Sequence, residues 1–235
     1  MFKFEKLVFG DAGWGDEFLI ATIMTLLVSI MSMGLGLCLA ILTVWAKLIK
    51  NKITGFIANF YTTVIRGVPE LLVIYLIFFG GNSLVMKIAK IFGYNGYIEL
   101  NAFTIATIAI AIISATYSSE VLRAAYLSIS NGQIEAARAL GMNKFSIFLK
   151  VIGPQVIRHA LPGIGNVWQI TLKDTSLISV TGLVEIMRQS RISSNVEHSP
   201  LTFLITAAVL YLCLTTFSGK VFKYLEFNFS KGYSA

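Results

Sequence analysis

The sequence predicts an all-α polytopic membrane protein, because it is rich in apolar residues, poor in charge and contains long uncharged runs. Hydrophobic residues make up 56% of the chain and charged residues only 13%, whereas soluble domains usually carry about 25% charged residues. The two longest uncharged runs cover 18–46 and 200–219. A helix needs about 20 such residues to cross the hydrocarbon core of a bilayer, so both runs are long enough.

Three further apolar segments raise the expected number of transmembrane helices to about five. All three contain charged residues and two of them also contain prolines, but each is apolar over most of its length. The predicted spans are 18–46, 56–80, 102–124, 158–183 and 200–222. An odd number of spans places the two termini on opposite sides of the membrane. Gly34 and Gly36, in the first span, are expected to be close-packing sites.

The distribution of Lys and Arg predicts that the N-terminus lies outside and the C-terminus inside, because loops facing the cytoplasm carry an excess of basic residues. In this orientation the inner segments contain Lys47, Lys50, Lys52, Arg123, Arg138, Lys144, Lys150, Lys220, Lys223 and Lys231. The outer segments contain Lys3, Lys6, Lys87, Lys90, Arg188 and Arg191. This bias accounts for the net charge of +7, so no nucleic-acid partner is expected.

The polar stretch 131–155 interrupts this apolar chain, and its first half predicts a short helix that ends in a sharp turn. Ser130 and Gln133 have the spacing of a capping box. Glu135 is expected in the first turn, at the positive end of the helix dipole. Strong helix formers follow, and Gly141 lies where a left-handed residue ends a helix.

The second half of the stretch predicts another short helix. Asn143 is a suitable N-cap, and Pro154 is expected to end the helix. Apolar side chains recur at helical spacing at Phe145, Phe148, Leu149 and Ile152. These residues alone are compatible with two interpretations, an amphipathic hairpin lying on the membrane surface or a rigid, small-faced docking element for another protein.

The spacing of this stretch resembles the EAA loop of the membrane subunits of bacterial ABC importers. In that family Glu-Ala-Ala is followed by three residues, Gly, nine residues, a β-branched residue, a spacer, Leu and Pro. The matching residues here are Glu135, Ala136, Ala137, Gly141, Val151 and Pro154, whereas Gly153 replaces the usual Leu.

Three further motifs are similar to permeases of the polar-amino-acid branch, the histidine, arginine, octopine and glutamine type. They are RGVPELL at 66–72, PQVIRHALPGIGN at 154–166 and LKDTSLISVTGLVEI at 172–186. The resemblance covers essentially the whole chain. It implies a MetI-like ABC permease fold, with a transmembrane domain over 18–222 between a periplasmic segment 1–17 and a cytoplasmic tail 223–235.

The function implied by the resemblance is that of the permease subunit of an ATP-driven importer in a bacterial inner membrane. Coupling helices in the cytoplasmic loop near 124–157 would transmit the closure of an ATPase, through Glu135, Ala136, Ala137 and Gly141. The cargo would be a polar, basic L-amino acid such as arginine, histidine or lysine, or an opine. A glutamine-type importer is the alternative, because KDTSL at 173–177 also resembles those permeases. An ATP-independent secondary carrier is a further alternative, although a carrier has no use for the EAA spacing.

The same resemblance implies the partners. They are a second permease chain, identical or paralogous, two copies of a P-loop ATPase, and a periplasmic substrate-binding protein that meets the loops near 81–101 and 184–199, with membrane lipid around the helices. The chain contains no Gly-x-x-x-x-Gly-Lys-Ser/Thr phosphate loop, so we expect neither an enzyme nor a bound cofactor. ATP and Mg would be used by the partner ATPase. His159 and His198 lie far apart in sequence and indicate no metal site.

Ionisable residues inside predicted spans are costly in a bilayer and therefore indicate functional positions. Asp174, with Thr175 and Ser176, is expected to line a cavity near the membrane midplane and to meet the cationic part of the substrate. Lys173 is expected to belong to the same pathway. The alternatives are that it pairs with a neighbouring charge or extends towards the headgroups. A broken or widened helix is expected just before them, at Pro162, Gly163 and Gly165.

Glu70 is the second intramembrane carboxylate, and two interpretations of it are open. It forms an ion pair with Arg66 at i, i+4, or it belongs to the substrate pathway. The resemblance places Arg66, Gly67 and Pro69 near that pathway, and Pro154 and Pro162 are expected to shape the helix that leads to Asp174. Two acidic groups facing one cavity favour a cationic substrate.

Overall fold

The computed structural model describes residues 4–10, 13–49, 51–94, 96 and 101–230, and these residues form helices and turns without a β-strand. The longer helices are α1 (Gly15–Leu48), α2 (Lys52–Gly67), α3 (Glu70–Ile91), α4 (Ala102–Leu127), α7 (Gly153–Asp174), α8 (Ile186–Glu197) and α9 (Pro200–Ser230). Two short helices, α5 (Asn131–Ala139) and α6 (Lys144–Ile147), precede a π-helical turn at Phe148–Ile152. Short 3-10 helices cover Phe4–Leu7 and Thr175–Thr181. The all-α fold class predicted from the sequence is confirmed.

α1 and α4 pack side by side and run in the same direction. Near their middle the Ser32 hydroxyl donates to the Thr107 carbonyl at 3.1 Å, and near their ends Lys47 pairs with Glu120. Because the residue numbers rise together, the two helices end on the same side of the bundle, which we call the inner end. The opposite side is the outer end, and α2 with α3 carries the chain back between them.

α7 and α9 are antiparallel and complete the bundle. Gly165 in the middle of α7 lies against Phe222 in the second half of α9. Just after α7, the Thr175 hydroxyl is 3.4 Å from the Tyr211 hydroxyl in the first half of α9. Because α7 starts after the inner-end loop, α9 ends at the inner end, whereas α1 begins at the outer end. This arrangement agrees with an odd number of passes.

Three helices within the described residues, α1, α4 and α9, are each long and apolar enough to cross a membrane. α2 and α3 qualify only as one pair, bent by 109°. The expected span 56–80 is therefore broken in the middle, at Val68 and Pro69. Proline pushes the preceding residue into an extended conformation, and Val68 has φ −106° and ψ 141°.

The region of the fourth predicted span, 158–183, differs from a simple crossing helix. α7 is not among the candidate crossing helices by length and composition. It tightens into the 3-10 helix at Thr175–Thr181, which ends at Gly182 with φ 95°. The following segment, 184–199, was expected to be an outer loop. Instead it forms α8, whose side chains Ile186, Gln189, Ser190 and Ser193 are buried.

The first and last long helices extend beyond the predicted spans. α1 begins at Gly15, three residues before the predicted start. α9 continues to Ser230, so the first part of the predicted tail 223–235 is helical. Residues 231–235, the rest of that tail, lie outside the described residues.

The two glycines of α1 differ in their surroundings. A methyl group at Gly36 would overlap the Ser114 hydroxyl and lie 3.1 Å from the Ala111 carbonyl oxygen of α4. A methyl group at Gly34 would meet no atom within 4 Å. The expectation of close packing is therefore confirmed for Gly36 and wrong for Gly34.

Gly36→Ala is expected to force α1 away from α4 and to lower the free energy of unfolding by about 1–3 kcal/mol, the usual cost of overpacking. Thermal unfolding of the purified protein in detergent measures the effect. Gly34→Ala is the matched control and should be neutral or slightly stabilising, because Ala is a better helix former than Gly. Adding Ser114→Ala to Gly36→Ala should recover part of the loss. Equal melting temperatures for the two glycine variants would contradict this account.

Candidate functional site

The turn after α5 has the geometry that its sequence predicts. Gly141 adopts a left-handed conformation with φ 76°. Its N–H donates to the Arg138 carbonyl at 2.9 Å, and the Met142 N–H donates to the Ala137 carbonyl at 3.1 Å. This pair of hydrogen bonds is the Schellman motif, which satisfies two carbonyls at the helix end.

The start of α5 differs from the predicted capping box. Ser130 is the N-cap residue, but its hydroxyl accepts no capping hydrogen bond. The Gln133 side chain accepts a hydrogen bond from Gln155 of α7 at 2.7 Å. Glu135 lies beyond the first turn, which begins at Asn131. The Gln133 N–H donates to the Ser130 carbonyl at 3.2 Å instead of to its hydroxyl. The Gln133 side chain is used to tie α5 to the start of α7.

The second short helix begins as predicted and then continues where an end was expected. The Asn143 side chain caps it by accepting from the Ser146 N–H at 2.8 Å. Pro154 does not end the helix but lies in the first turn of α7, where the missing N–H of a proline costs little. The π turn before it, closed by a Gly153 N–H bond to the Phe148 carbonyl, relieves the crowding that a proline causes one turn earlier.

The folded loop has a buried side and an exposed side. Its small core consists of Ile129, Ala137, Ile147 and Ile152. Of the predicted apolar stripe only Ile152 is buried, whereas Phe145, Phe148 and Leu149 are exposed. Ala137 therefore supports the loop from inside, while Glu135, Ala136 and Gly141 lie on its exposed surface.

The structure brings the two intramembrane carboxylates together. Asp174, at the end of α7, is only 8% exposed. Its carboxyl group lies close to the Glu70 carboxyl group at the start of α3. The Tyr117 hydroxyl of α4 donates to Glu70 Oε1 at 3.0 Å. Two carboxylates so close repel each other unless a proton or a cation lies between them.

The three residues beside Asp174 in the sequence differ in their exposure to solvent. Lys173 is exposed, and among the described residues it forms no ion pair with Asp174, so that interpretation is wrong. Thr175 is fully buried, with its hydroxyl donating to the Leu172 carbonyl at 2.7 Å. Ser176 is half-buried.

No break occurs at the residues expected to interrupt α7. The helix stays α-helical across Pro162. Gly163 instead permits close packing against Val121 of α4, as Gly165 does against Phe222 of α9. The irregular turns lie on either side of α7, in the π turn before it and the 3-10 helix after it.

Arg66 does not form the expected i, i+4 ion pair with Glu70. The break at Pro69 ends the helical register between them, and no ion pair joins them among the described residues. The guanidinium carbon of Arg66 lies 5.5 Å from the centroid of the Tyr117 ring. Tyr117 therefore contacts Arg66 through its ring and Glu70 through its hydroxyl. Gly67 and Pro69, beside it at the break, are both exposed.

An open cleft of about 450 Å³ lies between α1, α2 and α4. Its lining is polar and consists of Lys47, Asn59, Thr62, Thr63, Arg66, Gly67 and Glu120. Arg66 is the member of this lining that also contacts Tyr117, whereas neither Glu70 nor Asp174 lines the cleft. This cleft is a candidate part of a polar path through the inner half of the bundle.

A cluster of three charges borders the cleft. The Lys47 side chain is only 4% exposed, and its ammonium donates to Glu120 Oε1 and, at 2.7 Å, to the Thr62 hydroxyl. Arg123 donates to the other oxygen of Glu120 at 3.0 and 3.1 Å. Lys47 is thus a buried ion-pair partner and not the loop charge that the orientation argument counts. Glu120 was missed, although a carboxylate inside the predicted span 102–124 was a signal for it.

A buried carboxylate supports the chain just beyond Asp174. Glu185 is fully buried and caps α8 by accepting from the Met187 and Arg188 N–H groups at 2.8 and 2.7 Å. The Tyr211 hydroxyl of α9 donates to it at 2.9 Å. Arg188 donates to the Ser179 carbonyl at 3.0 Å, which fixes the 3-10 helix. Sequence reasoning missed this network because it assigned the segment to a loop.

Comparison with protein-family models matches residues 32–231 to the family described as "Binding-protein-dependent transport system inner membrane component". The chain is 45% identical over 224 residues to the octopine transport system permease protein OccQ of Rhizobium meliloti, covering 95% of this chain and 94% of that protein. It is 48% identical over 217 residues to the nopaline transport system permease protein NocQ of Agrobacterium fabrum, covering 92% of each. The histidine/lysine/arginine/ornithine transport system permease protein HisQ of Escherichia coli is 34% identical over 220 residues, covering 94% and 96%.

Two solved structures share the fold. A crystal structure of an amino acid ABC transporter with histidines superimposes with a TM-score of 0.78 at 30% identity, covering 92% of this chain and 95% of that one. An inward-facing structure of the MetNI methionine ABC transporter gives a TM-score of 0.69 at 15% identity, covering 91% and 96%. The MetI-like fold expected from the sequence is confirmed.

Gly141→Ala is expected to strain the turn after α5 by about 1 kcal/mol, because a Cβ atom is unfavourable at positive φ. No atom lies within 4 Å of the added methyl group, so the strain is confined to the backbone. Amide hydrogen exchange in α5 should accelerate about fivefold, the factor that corresponds to this energy. Gly141→Asn is the matched control, since Asn tolerates the left-handed conformation. Equal exchange in the Ala and Asn variants would contradict the role of the turn.

Proposed function

The chain belongs to the family of binding-protein-dependent transport system inner membrane components, and from this premise we propose that it is the translocating permease of an ATP-driven importer for a basic amino acid or an opine. The observation that carries the cargo class is the contact between Glu70 and Asp174 inside the bundle. A cationic group is the natural counter-charge for two neighbouring carboxylates. The named cargoes of the octopine, nopaline and histidine/lysine/arginine/ornithine permeases support the same class.

The loop between α4 and α7 is proposed to be the coupling element that a cytoplasmic ATPase engages. Glu135, Ala136 and Gly141 lie on its exposed surface, with Leu140 83% exposed beside them. Ala137 packs into the loop's core, and the Gln133–Gln155 hydrogen bond joins the loop to α7. A push on α5 is then passed to the helix that ends at Asp174.

The working assembly is proposed to contain a second permease chain, identical or paralogous, two copies of a P-loop ATPase and a periplasmic binding protein at the outer end. ATP and Mg²⁺ act on the ATPase chains, and the permease contributes the path and the coupling surface. Residues 1–17 are assigned to the periplasmic side and the C-terminal end to the cytoplasm. The pathway side chains are Glu70, Asp174, Thr175 and Ser176, with Lys173, Arg66, Gly67, Pro69, Pro154 and Pro162 shaping or flanking the path.

Glu135→Lys is expected to leave the permease folded but to reduce both ATPase retention and substrate-stimulated ATP hydrolysis about tenfold, the effect of losing roughly 1.4 kcal/mol at a docking surface. Purification through a tag on the permease, followed by an ATPase assay in liposomes, measures both. Glu17→Lys is the matched control, because Glu17 is equally an exposed glutamate but lies at the outer end. It should retain the ATPase. Normal ATPase retention and turnover in Glu135→Lys would remove the coupling role.

Asp174→Asn is expected to weaken transport of cationic amino acids more than that of neutral ones. The substitution keeps the shape of the side chain but removes its charge, and a lost charged hydrogen bond costs about tenfold or more in affinity. Uptake of radiolabelled L-lysine and L-glutamine by the reconstituted complex measures the difference. Equal losses for both amino acids would remove Asp174 from substrate recognition.

A further inference from the structure

Arg66 lies between the acidic pair and the inner cleft. Its side chain lines the cleft and also contacts the ring of Tyr117. Tyr117 in turn donates its hydroxyl to Glu70, which contacts Asp174. A guanidinium, an aromatic ring and two carboxyl groups therefore follow one another, with the positive group nearest the cleft.

Arg66 also lacks an anionic partner, in contrast to the other cations of this region. Lys47 and Arg123 share the carboxylate of Glu120. Among the residues that the structure describes, the Arg66 guanidinium has no hydrogen bond or ion pair, and the break at Pro69 removes the partner that a continuous helix would supply. Arg66 is exposed. Because a guanidinium carries five N–H donors and no acceptor, it is available to an anion that enters the cleft.

We propose that Arg66 binds the α-carboxylate of the transported molecule while Glu70 and Asp174 bind its cationic side chain. This assignment rests on the proposed function and adds a second recognition element to it. A guanidinium matches a carboxylate through two parallel hydrogen bonds, which a lysine at this position does not provide. Tyr117 contacts both kinds of group, Arg66 through its ring and Glu70 through its hydroxyl.

The proposal makes the site selective for molecules that carry both charges. A cation without a carboxylate would satisfy Glu70 and Asp174 but leave Arg66 unpaired. An amino acid with a neutral side chain would satisfy Arg66 and leave the carboxyl pair uncompensated. Either defect leaves a polar group without its partner, which a site built for hydrogen bonding penalises strongly.

The test compares L-arginine with agmatine, which has the same guanidinium side chain but no carboxylate. Binding to the purified complex of permease, partner permease and ATPase is measured by calorimetry, with wild-type and Arg66→Gln permease. Arg66→Gln should weaken L-arginine binding by about 10- to 100-fold and change agmatine binding less than about threefold. Arg66→Lys should recover only part of the L-arginine affinity. Arg123→Gln is the matched control and should leave the ratio of the two affinities unchanged, because Arg123 is bound to Glu120.

The outcomes separate this assignment from the proposed function. Equal losses of L-arginine and agmatine in Arg66→Gln, with the wild-type complex binding L-arginine, would overturn the carboxylate role alone. A loss of affinity in Arg66→Gln that is confined to agmatine would also overturn the carboxylate role. A wild-type complex that binds neither L-arginine nor octopine would overturn the proposed cargo class, and the assignment of Arg66 with it.

Discussion

Close packing between α1 and α4 fixes the position of α4, whose side chains contact Lys47 and Glu70. Gly36 and Ser114 allow the two backbones to come together, and the Ser32–Thr107 hydrogen bond holds their register. Small residues are the usual means of packing helices tightly in a membrane, where the hydrophobic effect does not drive helices together. From this contact onward, α4 presents Tyr117 towards Glu70 and Glu120 towards Lys47.

The interior of the bundle contains many polar groups beside its apolar clusters, and several of these groups are bonded within the protein. Hydroxyls such as those of Thr25 and Ser29 donate to the carbonyl four residues earlier in their own helix. The larger charges are shared or capped, as in the Lys47–Glu120–Arg123 cluster and at the start of α8. A bilayer core offers no water to replace these bonds, so such internal pairing is required of any chain that crosses it. Within the described part of the chain, the two carboxyl groups of Glu70 and Asp174 have no cationic partner of this kind, and the proposed cargo would supply one.

The sequence predicts the features that depend on neighbouring residues in the chain. Apolar runs identify α1, α4 and α9, and local chemistry identifies the turn at Gly141 and the cap at Asn143. Features that depend on distant contacts could not be predicted in this way. The Gln133 side chain bonds to Gln155 of α7, and Glu185 at the start of α8 bonds to Tyr211 of α9. The carboxyl groups of Glu70 and Asp174 are separated by more than a hundred residues, so only the fold shows that they touch.

The π turn at Phe148–Ile152 sets the rotational phase between the two working faces of the molecule. Each residue of an α-helix turns the chain by about 100°, and a π turn contains about one residue more than an α turn. The extra residue of the π turn therefore sets how the exposed face of α5 is rotated relative to the face of α7 that ends at Asp174. A one-residue deletion here would leave both faces intact in composition but pointing in mismatched directions. Substitutions in this segment are thus tolerated more readily than changes in its length. Insertions and deletions between Asn143 and Pro154 should be rare among homologues of this chain.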